Sequence, residues 1–427
     1  MRAFSQLLDD LVYTRSRNTK LRLIGDYLKE TPDPDRGIAL AALTGTLDIP
    51  HIKPAAIRGL VEEKIDPVLF GMSRDYVGDT AETVPLLWPA AADGGPELDD
   101  ATVSISEAVR RLATAGKLDA PKVLAGMLDH LDASGRFALL KLATGALRIG
   151  ISARLAKQAL ADAFGIEVDA VEEVWHGLGP PYLELFDWAE GRAPQPTARD
   201  VPVFRPFMLA HPLEELELSL DDYAAEWKWD GIRVQLVRTA GQTRLYSRTG
   251  DDISASFPEI AAAFVTDGVL DGELLVRGSD QGMADLHGGA AASFNALQQR
   301  LGRKNVSQKM LGSYPAFVRL YDILFDGSED LRELGWTERR KRLEQFVPRL
   351  DPERFDLSQL IEAKSFEELE EIRTGARDAA IEGMMLKRRD SPYVGGRRAG
   401  LWYKWKRDPL TADCVLMYAQ RGSGKRS

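Results

Sequence analysis

The chain has 427 residues, of which 44% are hydrophobic and 28% charged, and its formal net charge is −10. This length exceeds what one ordinary hydrophobic core supports, so the sequence predicts two or three domains. No apolar run approaches the roughly 20 residues of a membrane helix, and no signal-peptide core follows Met1. Cys414 is the only cysteine, which excludes an intramolecular disulfide and a cysteine-rich zinc site. We therefore expect a cytoplasmic protein without membrane contact.

The chain up to a proline-rich linker at 191–197 has the apolar spacing of amphipathic helices. One apolar stripe comprises Phe4, Leu7, Leu8, Leu11 and Val12. A second helix is predicted to begin behind a cap at Thr19 and to stop at Thr31, before a proline, and Ser152 is predicted to cap a later one. No internal repeat is evident. These patterns predict an all-α domain over residues 1–195.

Beyond the linker, short alternating or β-branched runs replace the helical pattern. They cover residues 224–230, 234–237, 244–247, 269–276, 317–325, 381–387 and 401–406. Helical patterns lie between them at 257–264 and 338–346. This order predicts an α+β domain with antiparallel sheets over residues 196–410. A last run at 412–418 predicts the first strand of a further domain over residues 411–427.

Charge is distributed unevenly along the chain. Residues 384–427 contain eleven basic and three acidic residues, so the remainder is strongly acidic. A basic end on an acidic body can bind a phosphate polymer through one surface, or it can be a solubilising tail. Charge alone does not separate these two interpretations.

One lysine is flanked by carboxylates in a strand-like segment. With a period of two, Glu226, Lys228 and Asp230 share one face of the strand. The segment is either a solvated strand face or a pocket in which Lys228 is a nucleophile and Arg233 binds phosphate. A lysine attacks only when it is neutral, and flanking carboxylates favour the ammonium form, so the second interpretation requires a bound cation.

Two further carboxylates fit such a cation. Glu273 and Glu382 each lie beside a glycine in an apolar, strand-like run, where an isolated carboxylate is costly to bury. Either segment by itself could also be a β-turn acid. Mg²⁺ held by one or two carboxylates and by substrate phosphates matches this pattern.

Basic residues on other segments could bind the phosphates. Lys404 and Lys406 lie on one face of a strand together with Trp402, a spacing that can clamp a polyphosphate or form a basic rim. Arg248 adds a cation in a tight turn after a strand.

Taken in order, these segments resemble the motifs of the ATP-dependent DNA ligases, which belong to the covalent nucleotidyltransferase superfamily. Residues 228–233 match the K-x-D-G-x-R motif, and 247–250 and 271–273 are similar to the next two. Residues 318–325 resemble the motif that places an aromatic ring, here Tyr321, on adenine. The metal-glutamate and paired-lysine motifs are similar to residues 381–387 and 402–406.

The resemblance implies a role for each matching residue. Lys228 would receive AMP from ATP, with Mg²⁺ or Mn²⁺ at Glu273 and Glu382. Glu226 would lie beside the adenine, and Arg233 would reach the ribose or the nick phosphate. The implied nucleotide-binding residues are Glu226, Arg233, Arg248, Glu273, Tyr321, Lys387, Lys404 and Lys406.

The N-terminal part resembles the helical DNA-binding domain of bacterial ligases. Residues 141–152 are similar to the stretch that meets the minor groove, which implies DNA contacts for Lys141 and Arg148. The resemblance implies a monomer that seals nicked duplex DNA in DNA repair. An RNA ligase or capping-type enzyme, and a non-catalytic DNA-binding module, are the alternatives. The family pattern ends with an OB-fold, and the sequence stops at Ser427, so we expect that module to be truncated or missing and sealing to be poor.

Overall fold

A computed structural model describes residues 1–50, 52, 54–89, 103–145, 147–197, 201–214, 218–277, 297–301, 303, 306–376, 381–407 and 413–418. The chain divides into two compact units. The first holds Met1–Val171 and Leu178–Pro196, and the second holds Glu172–Gly177 and Thr197–Ala412. In the described ranges, every helix is too short or too polar to cross a membrane.

The first unit is helical over its described residues, as the apolar stripes predicted. In the first helix the stripe residues Phe4, Leu7, Leu8 and Leu11 are buried, while Val12 is half-buried. The helices are α1 (Arg2–Tyr13), α2 (Arg17–Glu30), α3 (Asp35–Thr44), α4 (Pro54–Lys64), α5 (Pro67–Val77), α6 (Thr80–Leu87), α7 (Ile105–Thr114), α8 (Ala120–His130), α9 (Ala133–Thr144), α10 (Ala153–Phe164), α11 (Val168–Trp175) and α12 (Leu183–Ala189).

Helix caps show how local chemistry sets the helix ends. Ser152 caps α10 as predicted, because its side chain accepts a hydrogen bond from the Leu155 N–H. The predicted cap at Thr19 is wrong. Helix α2 begins earlier, and the side chain of Ser16 accepts a hydrogen bond from the Thr19 N–H, so Ser16 is the cap. The predicted stop is confirmed by Thr31, which is the C-cap of α2.

The helical unit contains an internal repeat that the sequence analysis missed. Helices α2, α3 and α4 end at positions 30, 44 and 64, and α8, α9 and α10 end 100 positions later. Both α3 and α9 end in Thr-Gly, with a left-handed Gly45 or Gly145 and with Thr44 or Thr144 bonded to a carbonyl four residues back. The packing between the two copies is reciprocal: the last helix of the second copy, α10, packs on α2, and the last helix of the first copy, α4, packs on α8. Few residues are identical, which hid the repeat.

The second unit is an α+β domain built on two large sheets and a two-stranded one. Its strands are β1 (Met208–Leu209), β2 (His211–Pro212), β3 (Tyr223–Trp229), β4 (Ile232–Thr239), β5 (Gln242–Ser247), β6 (Gly268–Val276), β7 (Ala316–Asp326), β8 (Glu329–Asp330), β9 (Phe355–Leu357), β10 (Leu360–Ile361), β11 (Ile381–Arg388), β12 (Gly396–Arg397) and β13 (Trp402–Lys406). Its helices are α13 (Pro258–Ala263), α14 (Gln308–Ser313), α15 (Trp336–Phe346) and α16 (Phe366–Gly375), with short 3-10 helices at Ser254–Ser256 and Val347–Arg349.

One sheet has the strand order β10-β3-β11-β13-β2, and the other has β5-β4-β6-β7-β8 with β9 beside β7. Most pairings are antiparallel, while β1 with β12, β2 with β13 and β7 with β9 are parallel. A core of aromatic and aliphatic side chains packs α13 and α15 onto the second sheet. Another packs α16 onto the first sheet. A third includes residues of both sheets, among them Ala224 and Val269.

The last predicted strand does not form over the part of it that is described. Residues 413–418 have no regular secondary structure and no strand partner within the described ranges, and Val415, Leu416, Met417 and Tyr418 are exposed. A strand needs a neighbour for its N–H and C=O groups, so β-branched composition alone does not make one. The other residues of the predicted 411–427 domain lie outside the described residues.

Candidate active site

A cavity of about 430 Å³ in the second unit is lined by residues of both sheets. Its size is that of a typical small-molecule site. It brings together every residue of the second unit that the sequence predicted for the site: Glu226, Lys228, Arg233, Arg248, Glu273, Tyr321, Glu382, Lys387, Lys404 and Lys406. These ten residues come from segments spread between positions 226 and 406.

Strand pairing aligns the lysines along the first sheet. Lys228 of β3 lies opposite Gly383 of β11, which in turn lies opposite Lys406 of β13. A Cβ at Gly383 would lie 2.2 Å from the Trp405 carbonyl oxygen, so only glycine allows β11 and β13 to approach this closely. Lys404 and Lys406 were predicted to share one face of a strand with Trp402. This is confirmed, since all three residues of β13 line the cavity.

A β-bulge brings Glu382 to the lysines. In the pairing of β11 with β3, Ile381 faces Trp229 and Gly383 faces Lys228, so Glu382 is the extra residue between them. The Glu382 carboxylate accepts hydrogen bonds from the Lys228 ammonium and, at 3.1 Å, from Lys406 Nζ. The bulge thus places one carboxylate between two ammonium groups.

A second bulge lies on the facing sheet. Leu320 of β7 pairs with Gly272 of β6 and Asp322 pairs with Asp271, which leaves Tyr321 as the extra residue. A bulge re-aims the side chain that it carries. Tyr321 is half-buried and its ring lines the cavity.

The carboxylates of the cavity differ in their electrostatics. Burial raises the pKa of Glu273 to about 7, although Lys228 and Arg233 oppose this shift. Burial also opposes ionisation of Glu382, but its hydrogen bond with Lys228 and the charge of that lysine leave the pKa of Glu382 lowered. Burial and the charge of Glu382 raise the pKa of Asp230.

These carboxylates fit a divalent cation that is completed by a substrate. No cluster of three or more histidine, cysteine, aspartate or glutamate residues forms a ready metal cage anywhere in the described part of the chain. Magnesium commonly takes one or two carboxylates together with substrate phosphates and water. Glu273 and Glu382, both in the cavity wall, supply that donor set, and a cation would favour the ionised form of Glu273.

Arg233 is anchored at the cavity wall. Its Nη2 donates to the fully buried Asp271 carboxylate at 2.9 Å, and its Nη1 donates to the Met208 carbonyl at 2.7 Å. The guanidinium also lies 4.1 Å from the centre of the Phe207 ring. The sequence predicted a ribose or phosphate contact for Arg233, and the structure adds that two of its nitrogen atoms already have protein partners.

One cation of the cavity was missed by the sequence analysis. Arg397 of β12 lines the cavity, and its charge is among the factors that, after burial, lower the pKa of Lys404. The charges of Lys406, Lys228 and Arg248 act in the same direction. The available signal was the glycine pair before Arg397, which marks a tight turn.

The two residues chosen in the helical unit have different surroundings. Arg148 is exposed, with a left-handed φ of 51°, in the turn between α9 and α10. Lys141 is 1% exposed and its ammonium donates to Asp79 at 2.8 Å. Because a DNA phosphate could reach Lys141 only by breaking this buried pairing, we do not include Lys141 in the proposed DNA surface.

Comparison with known proteins agrees with this arrangement. Residues 207–406 match the family model described as the ATP dependent DNA ligase domain. A probable DNA ligase of Anaeromyxobacter sp. (strain Fw109-5) is 30% identical over 435 residues, covering 99% of this chain and 76% of the relative. The DNA ligase of Methanothrix thermoacetophila is 31% identical over 303 residues, which cover 68% of this chain and 51% of that protein.

A solved structure has a similar fold. Pmar-Lig_PreS3 superposes with a TM-score of 0.50 over 95% of this chain and 78% of that one, at 14% identity. That identity supports the fold alone. The family model covers the cavity, and the Anaeromyxobacter relative matches along nearly the whole chain. The chain therefore belongs to the ATP-dependent DNA ligase family.

Proposed function

We propose that this chain seals nicks in duplex DNA through an AMP adduct on Lys228, as a monomer acting in DNA repair in the cytoplasm. The observation that carries the proposal is the convergence of ten preselected residues on one cavity. An exposed basic rim, the alternative for several of these segments, would not bring them into one cavity.

In the first step, the Lys228 nitrogen forms a bond to the α-phosphorus of ATP. The bond from that phosphorus to the bridging oxygen breaks, and pyrophosphate leaves with the electron pair. Lys228 must first lose a proton to the solvent, and a cation bound at Glu382 would favour its neutral form by taking up the carboxylate that now accepts its hydrogen bond. Lys404 and Lys406 lie beside Lys228 in the cavity wall and stabilise charge on the phosphate oxygens.

The nucleotide would be held by groups on both sheets. Tyr321 offers an aromatic face for the adenine, and the buried Glu226 offers an acceptor for its amino group. Arg233 would contact the ribose. Glu273 and Glu382 would hold Mg²⁺ or Mn²⁺, whose charge favours departure of pyrophosphate.

In the second step, an oxygen of the 5′-phosphate at the nick attacks the AMP phosphorus, and the bond to Lys228 breaks. In the third step, the 3′-hydroxyl attacks the 5′-phosphorus and AMP leaves, which closes the backbone. Arg248 and Arg397 are exposed arginines of the cavity wall, and we assign them to the nick phosphates. Arg148 is assigned to the DNA backbone.

Labelled ATP tests this function. The protein is incubated with ATP labelled at the α-phosphate and with Mg²⁺, then with a singly nicked DNA duplex or a nicked RNA duplex. We expect label on the denatured protein, its transfer to nicked DNA, and sealed DNA product. Lys228→Ala should take up no label. Preferential transfer to nicked RNA, or an unlabelled wild-type protein, would overturn the proposal.

A further inference from the structure

Lys387 is a lysine buried under the nucleotide cavity. It is 1% exposed, and its Nζ donates to Glu226 Oε1 and to the Tyr321 carbonyl oxygen, each at 3.2 Å. The ammonium lies 4.5 Å from the centre of the Tyr321 ring and 4.7 Å from that of Trp402. One cation thus connects a carboxylate of β3 with the bulged residue of β7.

The carboxylate that Lys387 holds is itself buried. Glu226 is 1% exposed, and burying a carboxylate is costly unless a cation pairs with it. The second nearby cation, Arg340 of α15, has Nη1 at 3.9 Å from Glu226 Oε1, beyond hydrogen-bond reach. Lys387 is therefore the direct partner that balances the charge of Glu226 and fixes its orientation.

The other oxygen of this carboxylate is available to a ligand. Across the described residues, Glu226 Oε2 has no hydrogen bond, and Glu226 lines the cavity. An ionised carboxylate only accepts hydrogen bonds, so it selects a ligand that donates one and rejects a carbonyl in the same place.

We propose that Lys387 is a positioning residue that sets base selectivity by holding the Glu226 carboxylate in place as the acceptor for the 6-amino group of a purine. The proposal rests on the function proposed above. Lys387 acts through Glu226 and the Tyr321 bulge, and takes no part in the bond to phosphorus. Its loss should therefore change which nucleotide is used more than the chemistry at Lys228.

Inosine triphosphate is the matched probe, because it differs from ATP by an oxygen in place of the 6-amino group and by the N1 proton that accompanies this change. The measurement is the ratio of kcat/KM for label transfer to the protein from ATP and from inosine triphosphate. Taken on one sample, this ratio is independent of the folded fraction. We expect Lys387→Met to lower the preference for ATP about tenfold or more, as the loss of a charge-assisted hydrogen bond implies.

The controls separate positioning from general stability. Lys141→Met removes another buried, paired lysine and should lower stability while it leaves the ratio unchanged. Lys387→Arg keeps the charge and should retain most of the preference. If Lys387→Met unfolds, the pair Lys387→Met with Glu226→Gln removes both buried charges and should also lose the preference.

The outcomes are distinct. A wild-type ratio in Lys387→Met, or in the double variant, overturns the positioning role and leaves the proposed function standing. A wild-type protein that takes up label from neither nucleotide overturns both.

Discussion

At the scale of single residues, the site is a chain of alternating charges. The carboxylate of Glu382 lies between the ammonium groups of Lys228 and Lys406. In this arrangement Lys228 donates a hydrogen bond to Glu382. A cation at Glu382 would compete with Lys228 for that carboxylate and would favour the neutral amine. Binding of the cation would therefore convert the ion pair between Lys228 and Glu382 into the reactive arrangement.

Arg397 and Arg398 form a matched pair for a first prediction. Both are exposed, but only Arg397 lines the cavity. We expect Arg397→Met to lower kcat/KM for sealing a nicked duplex by about tenfold or more, since a charge-assisted contact to phosphate is lost. Arg398→Met should stay within about twofold of wild type. Equal losses in the two variants would show that general surface charge is responsible.

The pKa of Glu273 predicts a pH dependence of stability. Burial raises this pKa from its ordinary 4.5 to about 7 in the folded protein. Between these values the folded state binds more protons than the unfolded chain, so this group makes the free energy of unfolding fall as the pH rises.

Glu273→Gln removes this contribution. In urea denaturation without metal or nucleotide, the variant should gain stability relative to wild type by on the order of 2 kcal/mol between about pH 5 and about pH 8. A difference between variant and wild type that does not change with pH would mean that Glu273 ionises as readily in the fold as in the unfolded chain.

At the scale of elements, the sheets were largely predictable and their bulges were not. The period of two placed Glu226 and Lys228 on the cavity face of β3, because alternation is a property of the strand alone. The bulges at Tyr321 and Glu382 depend on the register with a partner strand, which no local pattern specifies. Gly383 pairs with Lys228, so strict alternation would have placed the neighbouring Glu382 on the opposite face of the sheet from Lys228.

Local patterns failed for the same reason elsewhere. Residues 413–418 have strand composition and no strand partner among the described residues. Thr19 has cap chemistry, but Ser16 caps the helix from three residues earlier. A strand forms only beside a partner that is close in space, and a helix cap depends on which of several nearby residues accepts the hydrogen bond.

The close approach of β11 and β13 gives a prediction at this scale. Gly383→Ala would put a Cβ 2.2 Å from the Trp405 carbonyl oxygen, so the strands must separate. We expect a loss of about 3 kcal/mol in the free energy of unfolding, together with slower AMP uptake. Gly375→Ala is the control, because its Cβ would meet nothing within 4 Å at the end of α16. Comparable losses in both variants would contradict this packing.

At the scale of the whole molecule, an acidic chain must bind a polyanion. The formal net charge is −10, so the proposed DNA contact depends on local cations such as Arg148, Arg248 and Arg397. Phosphate contacts release counterions, and affinity then falls as salt rises. The repeat of three helices in the first unit was hidden in the sequence because its two copies share a helix pattern and few residues.

Salt titration tests this mode of binding. Affinity for a nicked duplex should fall by at least about tenfold between about 50 mM and about 200 mM salt, with little dependence on base sequence. Arg148→Met should weaken binding and make the logarithmic salt slope less steep by about one. An affinity that hardly responds to salt would exclude recognition through phosphates.

The proposed function requires that one amine, that of Lys228, forms the bond to phosphorus. The most direct test is to incubate the protein with ATP and Mg²⁺, digest it under conditions that preserve a phosphoramidate, and locate AMP by mass spectrometry of the peptides. We predict that AMP is attached to Lys228 in the peptide that contains residues 226–233. Attachment at any other residue, or no attached AMP in a folded protein that binds ATP, would contradict the role proposed for Lys228.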